Sequence, residues 1–299
     1  MRLLASLRVV STALNLPGPA ACARLRDLGA SIAKVEPPSG DPLQGYSPSW
    51  YARLHRDVET HRLDLKTLEG RGALSAMLEK ADLLVTAQRP AALARLGLDP
   101  ATLADRFPRL CHVAIVGHLP PDDEKPGHDL TYLAEHGLVS PPALPATLFA
   151  DMAGAERAVS TGLALVLARD RGVRPQPQQV ALADAVAYLA QPLAEGMTRP
   201  GGLLGGGTPG YNLYAARDGW IAVAALEPHF AAALRAAAGI AASDTRTMFA
   251  AATHQAIAAF LATRTRKQLD RLAAEKDLPL HTMAASSAQS LTAEARRFR

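Results

Sequence analysis

Short apolar blocks alternate with amphipathic blocks along the first half of the chain. The apolar blocks have the length of β-strands, and the amphipathic blocks repeat with the helical period. The predicted strands are Leu7–Ser11, Ser31–Glu36, Arg62–Leu65, Leu83–Thr86, Leu110–Val116 and a short one near Val180. The predicted helices are Pro19–Leu28, Thr67–Ala81, one from about Pro90, Ala101–Phe107, one from about Asp129, Gly154–Arg171 and Leu182–Glu195. Strands alternating with helices favour an α/β fold, a Rossmann-like large domain whose parallel sheet has helices on both faces.

The pattern changes at a run of glycines, which suggests a domain boundary. Residues 1–197 form the predicted Rossmann-like large domain, and the Gly-rich residues 198–210 form a linker. Residues 211–283 are predicted to form a small α+β domain with a strand at Trp220–Ala224. Residues 284–299 form a polar C-terminal tail.

Composition excludes several classes of protein. Of the 299 residues, 48% are hydrophobic and 20% charged, which is typical of a globular protein rather than a disordered or fibrous one. The net charge of +4 is spread along the chain with no basic stripe of interleaved aromatics, so nucleic acid is not an expected partner. No apolar run is long enough to span a membrane, and Arg8 interrupts the N-terminal apolar run of a possible leader. We therefore expect a cytoplasmic protein.

The cysteine and histidine spacings predict neither a disulfide framework nor a metal site. The two cysteines, Cys22 and Cys111, lie in apolar runs typical of core residues. The nine histidines show no zinc-binding spacing. The first strand ends in Asn15–Pro19, which is not the glycine pattern of a dinucleotide site, so a nicotinamide dehydrogenase is disfavoured.

Candidate acid–base residues stand where loops meet predicted helices. His128 and Asp129 follow a Pro-Gly turn, Asp151 precedes the long helix, and Glu227 ends a strand before a proline. A helix N-terminus favours the ionised form of an acid, and its free N–H groups can bind an oxyanion. The alternative is that the three acids are only helix caps. The glycine run has likewise two interpretations, a flexible hinge or a lid over an active site.

Taken in order, several segments resemble those of family III CoA-transferases, over roughly residues 5–283. Within that superfamily the likeness is greatest to the α-methylacyl-CoA racemases, which carry Gly-His-Asp, Ala-Asp and Glu-Pro motifs. The segments that carry the resemblance are Gly29–Pro38, Leu63–Arg71, Arg89–Leu98, Pro126–Tyr132, Ala150-Asp151 and Glu227–Phe230.

The resemblance implies an enzyme that acts on acyl-CoA thioesters. As a racemase, it would move the α-proton of a 2-methylacyl-CoA between His128 and Asp151, and Glu227 would orient His128. Arg89 would pair with the CoA phosphates. The nucleotide groove would be lined by Leu63, Asp64, Leu65, Lys66 and Gly127. Coenzyme A would enter as part of the substrate, with no permanently bound cofactor, and the protein would be a homodimer.

Two alternatives stay open. In the transferase branch the residue that matches Asp151 is a nucleophile, and it moves CoA between carboxylic acids through an acyl anhydride and an enzyme–CoA thioester. In the third interpretation the chain binds acyl-CoA without catalysis. Two departures from the family pattern fit that interpretation: acidic residues within His55–Thr60 where relatives are basic, and a short segment after Leu280. Pro37 also stands where some relatives have an adenine-stacking arginine.

Overall fold

The computed structural model describes residues 3–241 and 250–285. The chain divides into two compact units, Met1–Ala190 and Gln191–Arg299. The predicted 198–210 segment therefore lies inside the second unit, and the predicted polar tail lies outside the described residues from residue 286 onward.

The first unit alternates strands with helices. Its strands are β1 (Arg8–Ser11), β2 (Ser31–Glu36), β3 (Glu59–Arg62), β4 (Leu83–Thr86), β5 (Cys111–Val116) and β6 (Gln178–Ala181). Its helices are α1 (Pro17–Asp27), α2 (Pro42–Tyr46), α3 (Pro48–Leu54), α4 (Leu68–Leu78), α5 (Pro90–Arg95), α6 (Pro100–Arg106), α7 (Asp129–Glu135), α8 (Phe149–Asp170) and α9 (Leu182–Leu189).

The six strands form one parallel sheet in the order β3-β2-β1-β4-β5-β6. Every residue of β4 and β5 is buried, as expected for central strands of a sheet covered on both faces. Neighbouring residues on a strand face opposite sides, so Leu83 packs into one apolar cluster and Leu84 into the other. The predicted Rossmann-like α/β architecture is confirmed.

Three predicted boundaries in the first unit were wrong. The third strand is Glu59–Arg62 rather than Arg62–Leu65, because Leu63 and Leu65 pack against an apolar cluster from a loop instead of from a strand. The long helix begins at Phe149 rather than Gly154, so Asp151 lies in its first turn and not before it. The helix predicted at Leu182–Glu195 ends at Leu189.

The segment before β3, where the sequence analysis placed neither a helix nor a strand, contains the two short helices α2 and α3. Both begin with proline, whose fixed φ suits the first helical position and whose missing N–H would have no helical partner there. Asp41 caps α2, since its carboxylate accepts the N–H of Leu43.

The second unit is a small α+β unit with a three-stranded antiparallel sheet in the order β7-β8-β9. No helix among the described residues of either unit is both long enough and apolar enough to cross a bilayer. Its elements are α10 (Gln191–Ala194), β7 (Tyr211–Ala216), β8 (Gly219–Ala224), α11 (Pro228–Ala237), α12 (Ala251–Ala262), α13 (Arg266–Lys276) and β9 (Leu280–Ala284).

The glycine run forms a compact turn at Leu203–Gly207 rather than a loose hinge. The N–H groups of Gly205 and Gly207 both donate to the carbonyl of Gly202, each at 2.9 Å. A Cβ atom on either Gly205 or Gly207 would overlap backbone of the preceding segment. Glycine is required here because the backbone folds closely on itself.

Candidate active site

A cavity of about 370 Å³ opens at the carboxyl ends of β1, β4 and β5. The chain connection changes direction between β1 and β4, and open α/β sheets bind ligands in the crevice at such a switch point. The cavity lies wholly within the first unit, and the residues that follow the three strands form its floor: Asn15, Gln88 and Gly117.

Four of the predicted site residues line this one cavity: Arg89, Gly127, His128 and Asp151. They come from three separate segments of the chain, the loop after β4, the loop before α7 and the first turn of α8, which the fold brings together. Leu63, Asp64, Leu65 and Lys66 do not line it. The roles of both sets of residues in CoA binding or catalysis stay predictions.

Asp151 is half-buried in the first turn of α8, and a second carboxylate lies beside it. Buried Asp129 accepts the backbone N–H of Asp151 at 3.1 Å, so it caps α8 from the neighbouring helix α7. Burial, and then the charge of Asp129, raises the pKa of Asp151 to about 6. The expectation that the helix N-terminus holds this acid ionised is therefore wrong at mildly acidic pH, because desolvation and a like charge dominate.

His128 is the N-cap residue of α7, and its backbone is fixed by Thr131. The Thr131 hydroxyl accepts the N–H of His128 at 3.0 Å and donates to its carbonyl at 2.7 Å. The imidazole is exposed and lines the cavity. An exposed imidazole at this position can exchange a proton with a ligand.

Arg89 is the exposed N-cap residue of α5 at the end of β4. The preceding Gln88 ties β4 to β1, since its amide donates to the Thr12 carbonyl at 2.7 Å and accepts from the Thr12 hydroxyl at 3.0 Å. The backbone next to Arg89 is therefore held in place. The Arg89 guanidinium has no ion pair among the described residues of this unit. Such a group can pair with an anion.

The Leu63–Lys66 segment forms a rigid turn between β3 and α4. The Asp64 carboxylate accepts the N–H of Lys66 at 3.0 Å, and the Arg71 guanidinium donates to the Lys66 carbonyl at 2.9 Å. A Cβ atom on Gly70 would overlap the Asp64 carbonyl, so the turn packs closely on α4. This turn follows the carboxyl end of β3, so it lies at the same end of the strands as the cavity. In the sheet, β3 is two strands away from β1.

Glu227 belongs to the second unit, where it is the exposed N-cap residue of α11. Its side chain caps no N–H group. Its predicted hydrogen bond to His128 stays a prediction.

Aromatic and polar residues that the sequence did not single out also line the cavity. Tyr132 fits between Gly117 and Gly127, where a Cβ atom on either glycine would overlap its ring or hydroxyl. A polar residue in the loop after β1 was the available signal for Asn15, because the switch point lies beside that strand. The additional residues with polar or aromatic side chains are Asn15, Tyr46, Trp50, Gln88, Asp123, Lys125 and Tyr132.

The raised pKa of Asp151 predicts an acidic limb in the pH profile. A carboxylate that takes a proton or attacks a carbonyl must be ionised, so kcat/KM should fall about tenfold per pH unit below about pH 6. Asp129→Asn keeps the acceptor oxygen and removes the charge, and it should move this limb to lower pH. Steady-state rates between about pH 4.5 and 9 measure both, a range that spans the ordinary carboxyl and imidazole pKa values. An unmoved limb in Asp129→Asn would contradict the coupling.

Residues 4–296 match the family model described as CoA-transferase family III. The chain is 32% identical over 257 residues to the α-methylacyl-CoA racemase of Mus musculus, covering 79% of this chain and 65% of the racemase. It is 35% identical over 147 residues to the cinnamoyl-CoA:phenyllactate CoA-transferase of Clostridium sporogenes, covering 45% of this chain and 36% of the transferase. The chain thus spans less than two thirds of the length of either relative.

Solved structures share the fold over almost the whole chain. A hypothetical protein from Mycobacterium tuberculosis superposes with a TM-score of 0.82 at 24% identity, covering 99% of this chain and 88% of its own. A CaiB/BaiF family protein from Brucella suis superposes with a TM-score of 0.75 at 22% identity, covering 97% of this chain and 85% of its own.

Proposed function

Because this chain belongs to CoA-transferase family III, we propose that its cavity holds the acyl end of an acyl-CoA thioester and that Asp151 acts on it. The observation that carries the proposal is the meeting of Asp151 and His128 in one cavity at the switch point of the sheet. Asp151 combines a pKa near neutrality with a carboxylate that has no hydrogen-bond partner among the described residues of its unit. Such a group can gain and lose a proton at cellular pH.

The size of the cavity fits the reactive end of the substrate rather than the whole molecule. Its volume of about 370 Å³ lies near the lower end of the ~300–1,000 Å³ of small-molecule pockets. We propose that Arg89 and Gly127 bind the CoA chain at the cavity mouth. The nucleotide would continue past β2 to Leu63–Lys66, about 10 Å away at the usual strand spacing. No resident cofactor is required in this scheme; coenzyme A enters with the substrate.

The reaction favoured by the two groups is racemisation at the α-carbon. One of the pair takes the α-proton, the electron pair of the C–H bond moves into an enolate of the thioester, and the other returns a proton to the opposite face. Two acid–base groups from separate segments, Asp151 in the first turn of α8 and His128 before α7, can approach one carbon from two sides. The similarity to the mouse racemase supports this choice.

The second candidate is CoA transfer with Asp151 as nucleophile, and the likeness to the Clostridium transferase favours it. The carboxylate attacks the thioester carbonyl, the C–S bond breaks, and a CoA thiolate leaves behind an acyl anhydride on Asp151. The thiolate then attacks the aspartyl carbonyl, which releases the first carboxylate and leaves CoA as a thioester on Asp151. An acceptor carboxylate attacks this thioester and displaces the thiolate, which attacks the acceptor's carbonyl in the new anhydride and so regenerates the Asp151 carboxylate. The unpartnered side-chain oxygens of Asp151 suit an attacking group.

The homodimer also remains a proposal. Apolar side chains stay exposed on the long helices of the first unit, including Leu167 on α8 and Tyr188 on α9. Such groups commonly lie in subunit interfaces.

Incubation with 2-methylacyl-CoA in heavy water distinguishes the two reactions. A racemase should exchange the α-proton for deuterium and equalise the two epimers, while peptides that contain Asp151 keep their mass. A transferase should instead leave an acyl or CoA adduct on Asp151, which hydroxylamine converts to the hydroxamate. Mass spectrometry of substrate and protein reads both, and a hydroxamate at Asp151 without α-deuteration would rule out the racemase.

A further inference from the structure

A buried ion cluster lies on the same unit as the cavity and is not part of it. The ammonium of Lys34, on β2, lies among Glu36, Asp41 and His55. The side chain of Lys34 is 3% exposed, and those of Glu36 and Asp41 are 0% exposed. Burying charged groups this deeply costs free energy unless opposite charges lie close together. The Lys34 ammonium must therefore stay next to the two carboxylates.

The Lys34 ammonium contacts three side chains of the cluster. It donates to the Asp41 carboxylate and to Nε2 of His55 at 2.7 Å, and it lies 3.1 Å from Oε1 of Glu36. Nδ1 of His55 lies 2.7 Å from the carbonyl of Tyr51, which can only accept, so Nδ1 carries the proton and Nε2 accepts from Lys34. Burial lowers the pKa of His55, in agreement with a neutral ring. Glu36, Asp41 and His55 could together hold a metal ion, but the ammonium already contacts all three.

The other oxygen of Asp41 connects the cluster to the loop after β1 and to helix α2. It accepts the N–H of Asn15 at 3.0 Å and the N–H of Leu43 at 2.9 Å. Asn15 has a φ of 63°, a left-handed conformation that a non-glycine residue keeps only when its surroundings hold it. The Tyr46 hydroxyl donates to the Asn15 side-chain oxygen at 2.6 Å. Asn15 is therefore fixed at its backbone by Asp41 and at its side chain by Tyr46.

The loop after β1 and helix α2 form one wall of the cavity: Asn15, Leu43 and Tyr46 line it together with Asp151. Burial raises the pKa of the Tyr46 phenol, and the charges of Asp41 and Asp151 raise it further. The hydroxyl occupies the Asn15 side-chain oxygen, so the amide nitrogen, which has no partner among the described residues of this unit, can donate to an acyl oxygen.

We propose that Lys34 is a positioning residue that acts through Asp41 to hold the Asn15–Tyr46 wall against the reacting end of the substrate. Without the ammonium, the Asp41 carboxylate would lose its cation and move toward water, releasing the N–H groups of Asn15 and Leu43. The structural part of this inference stands alone, and its kinetic part rests on the proposed function.

The test is a double variant, Lys34→Met with Glu36→Gln, which removes the link to Asp41 but keeps the formal charge of the cluster. The amide oxygen introduced by Glu36→Gln would still accept from the Tyr51 hydroxyl that now bonds Glu36. The matched control is Val35→Ala, which lies between the two positions on β2 and packs into the apolar cluster of the opposite face. If the double variant does not fold, Lys34→Gln with Glu36→Gln takes its place, since it also removes the ammonium next to Asp41, keeps the formal charge of the cluster and leaves the Asp41 charge unchanged.

The first readout is independent of activity. In protein labelled with ¹³Cζ-tyrosine, the Tyr46 resonance, assigned with Tyr46→Phe, should titrate above the usual range of tyrosine in the native protein and in Val35→Ala. In the double variant its midpoint should fall toward the ordinary tyrosine pKa of about 10. An unchanged midpoint overturns the proposal, whatever the kinetics show.

The second readout is kinetic. We expect kcat for α-deuteration to fall about 10–100-fold in the double variant, because small misplacements near a reacting group cost this much, while KM changes little. The fall in kcat should not add to the fall caused by Asn15→Ala, because both changes disrupt the same Asn15–Tyr46 wall. Equal losses in the double variant and in Val35→Ala would overturn the positioning role. Absence of both α-deuteration and an Asp151 adduct in the native enzyme would contradict the proposed function, and the Tyr46 titration would still decide this inference.

Discussion

Asp151→Asn is expected to lower turnover of an acyl-CoA substrate by about 10³-fold or more, whichever of the two reactions the enzyme performs. The amide cannot take up a proton at neutral pH, and it is too weak a nucleophile to attack a thioester. The measurement is kcat by chromatography of the acyl-CoA epimers or of the acyl-exchange product. Asp123→Asn is the matched control, because Asp123 lines the same cavity, and its rate should stay within a few-fold of the native value.

The same substitution should stabilise the fold, which separates lost chemistry from lost structure. The pKa of Asp151 is raised in the folded protein, so its ionisation opposes folding once the pH passes from about 4 to above about 6. Asparagine removes this penalty, and we expect a gain of up to about 3 kcal/mol at pH 7, from roughly two pKa units at about 1.4 kcal/mol each. At about pH 3.5 and below, where the aspartate takes up its proton in the folded and unfolded states alike, the gain should vanish. An Asp151→Asn variant that unfolds earlier than the native protein at pH 7 would contradict the assigned environment.

Gly18→Ala should destabilise the first unit by about 2–3 kcal/mol, because the new methyl has no space. A Cβ atom on Gly18, in the first turn of α1, would overlap the Cβ of Ala13, which is fully buried. Neither atom belongs to a flexible side chain, so α1 must move away from the end of β1. Thermal unfolding should show a fall of about 5–10 °C in Tm.

Gly72→Ala is the control for that substitution. Gly72 lies inside α4, is exposed, and has open space where the methyl would go. Alanine there should leave Tm unchanged or raise stability by up to about 1 kcal/mol, since glycine is the poorer helix former. Equal Tm values for both variants would show that the turn after β1 is not tightly packed.

The sequence predicted the parts of the fold that depend on local pattern. Leu83–Thr86 was predicted with its observed bounds because a strand buried on both faces is a continuous apolar run. Helices α2 and α3 were missed because both are short and contain proline or glycine, residues that are typical of loops.

The candidate site was predictable only in part, since much of it depends on tertiary contacts. His128 and Asp151 stood out through their motifs, but the pKa of Asp151 depends on Asp129 from another helix. Tyr46 enters the cavity wall only through its bond to Asn15, a residue 31 positions away. No local pattern contains that contact.

Strand β3 was misplaced because its four residues, Glu59–Arg62, carry no apolar alternation, and that same polarity has a consequence for solubility. The strand lies at the open edge of the parallel sheet, with β2 as its neighbour. An unpaired edge is a template on which another chain can extend the sheet, and charged side chains discourage it. Glu59 and Arg62 thus protect the protein against edge-to-edge aggregation, and replacing both by valine would give a more conventional strand without that protection.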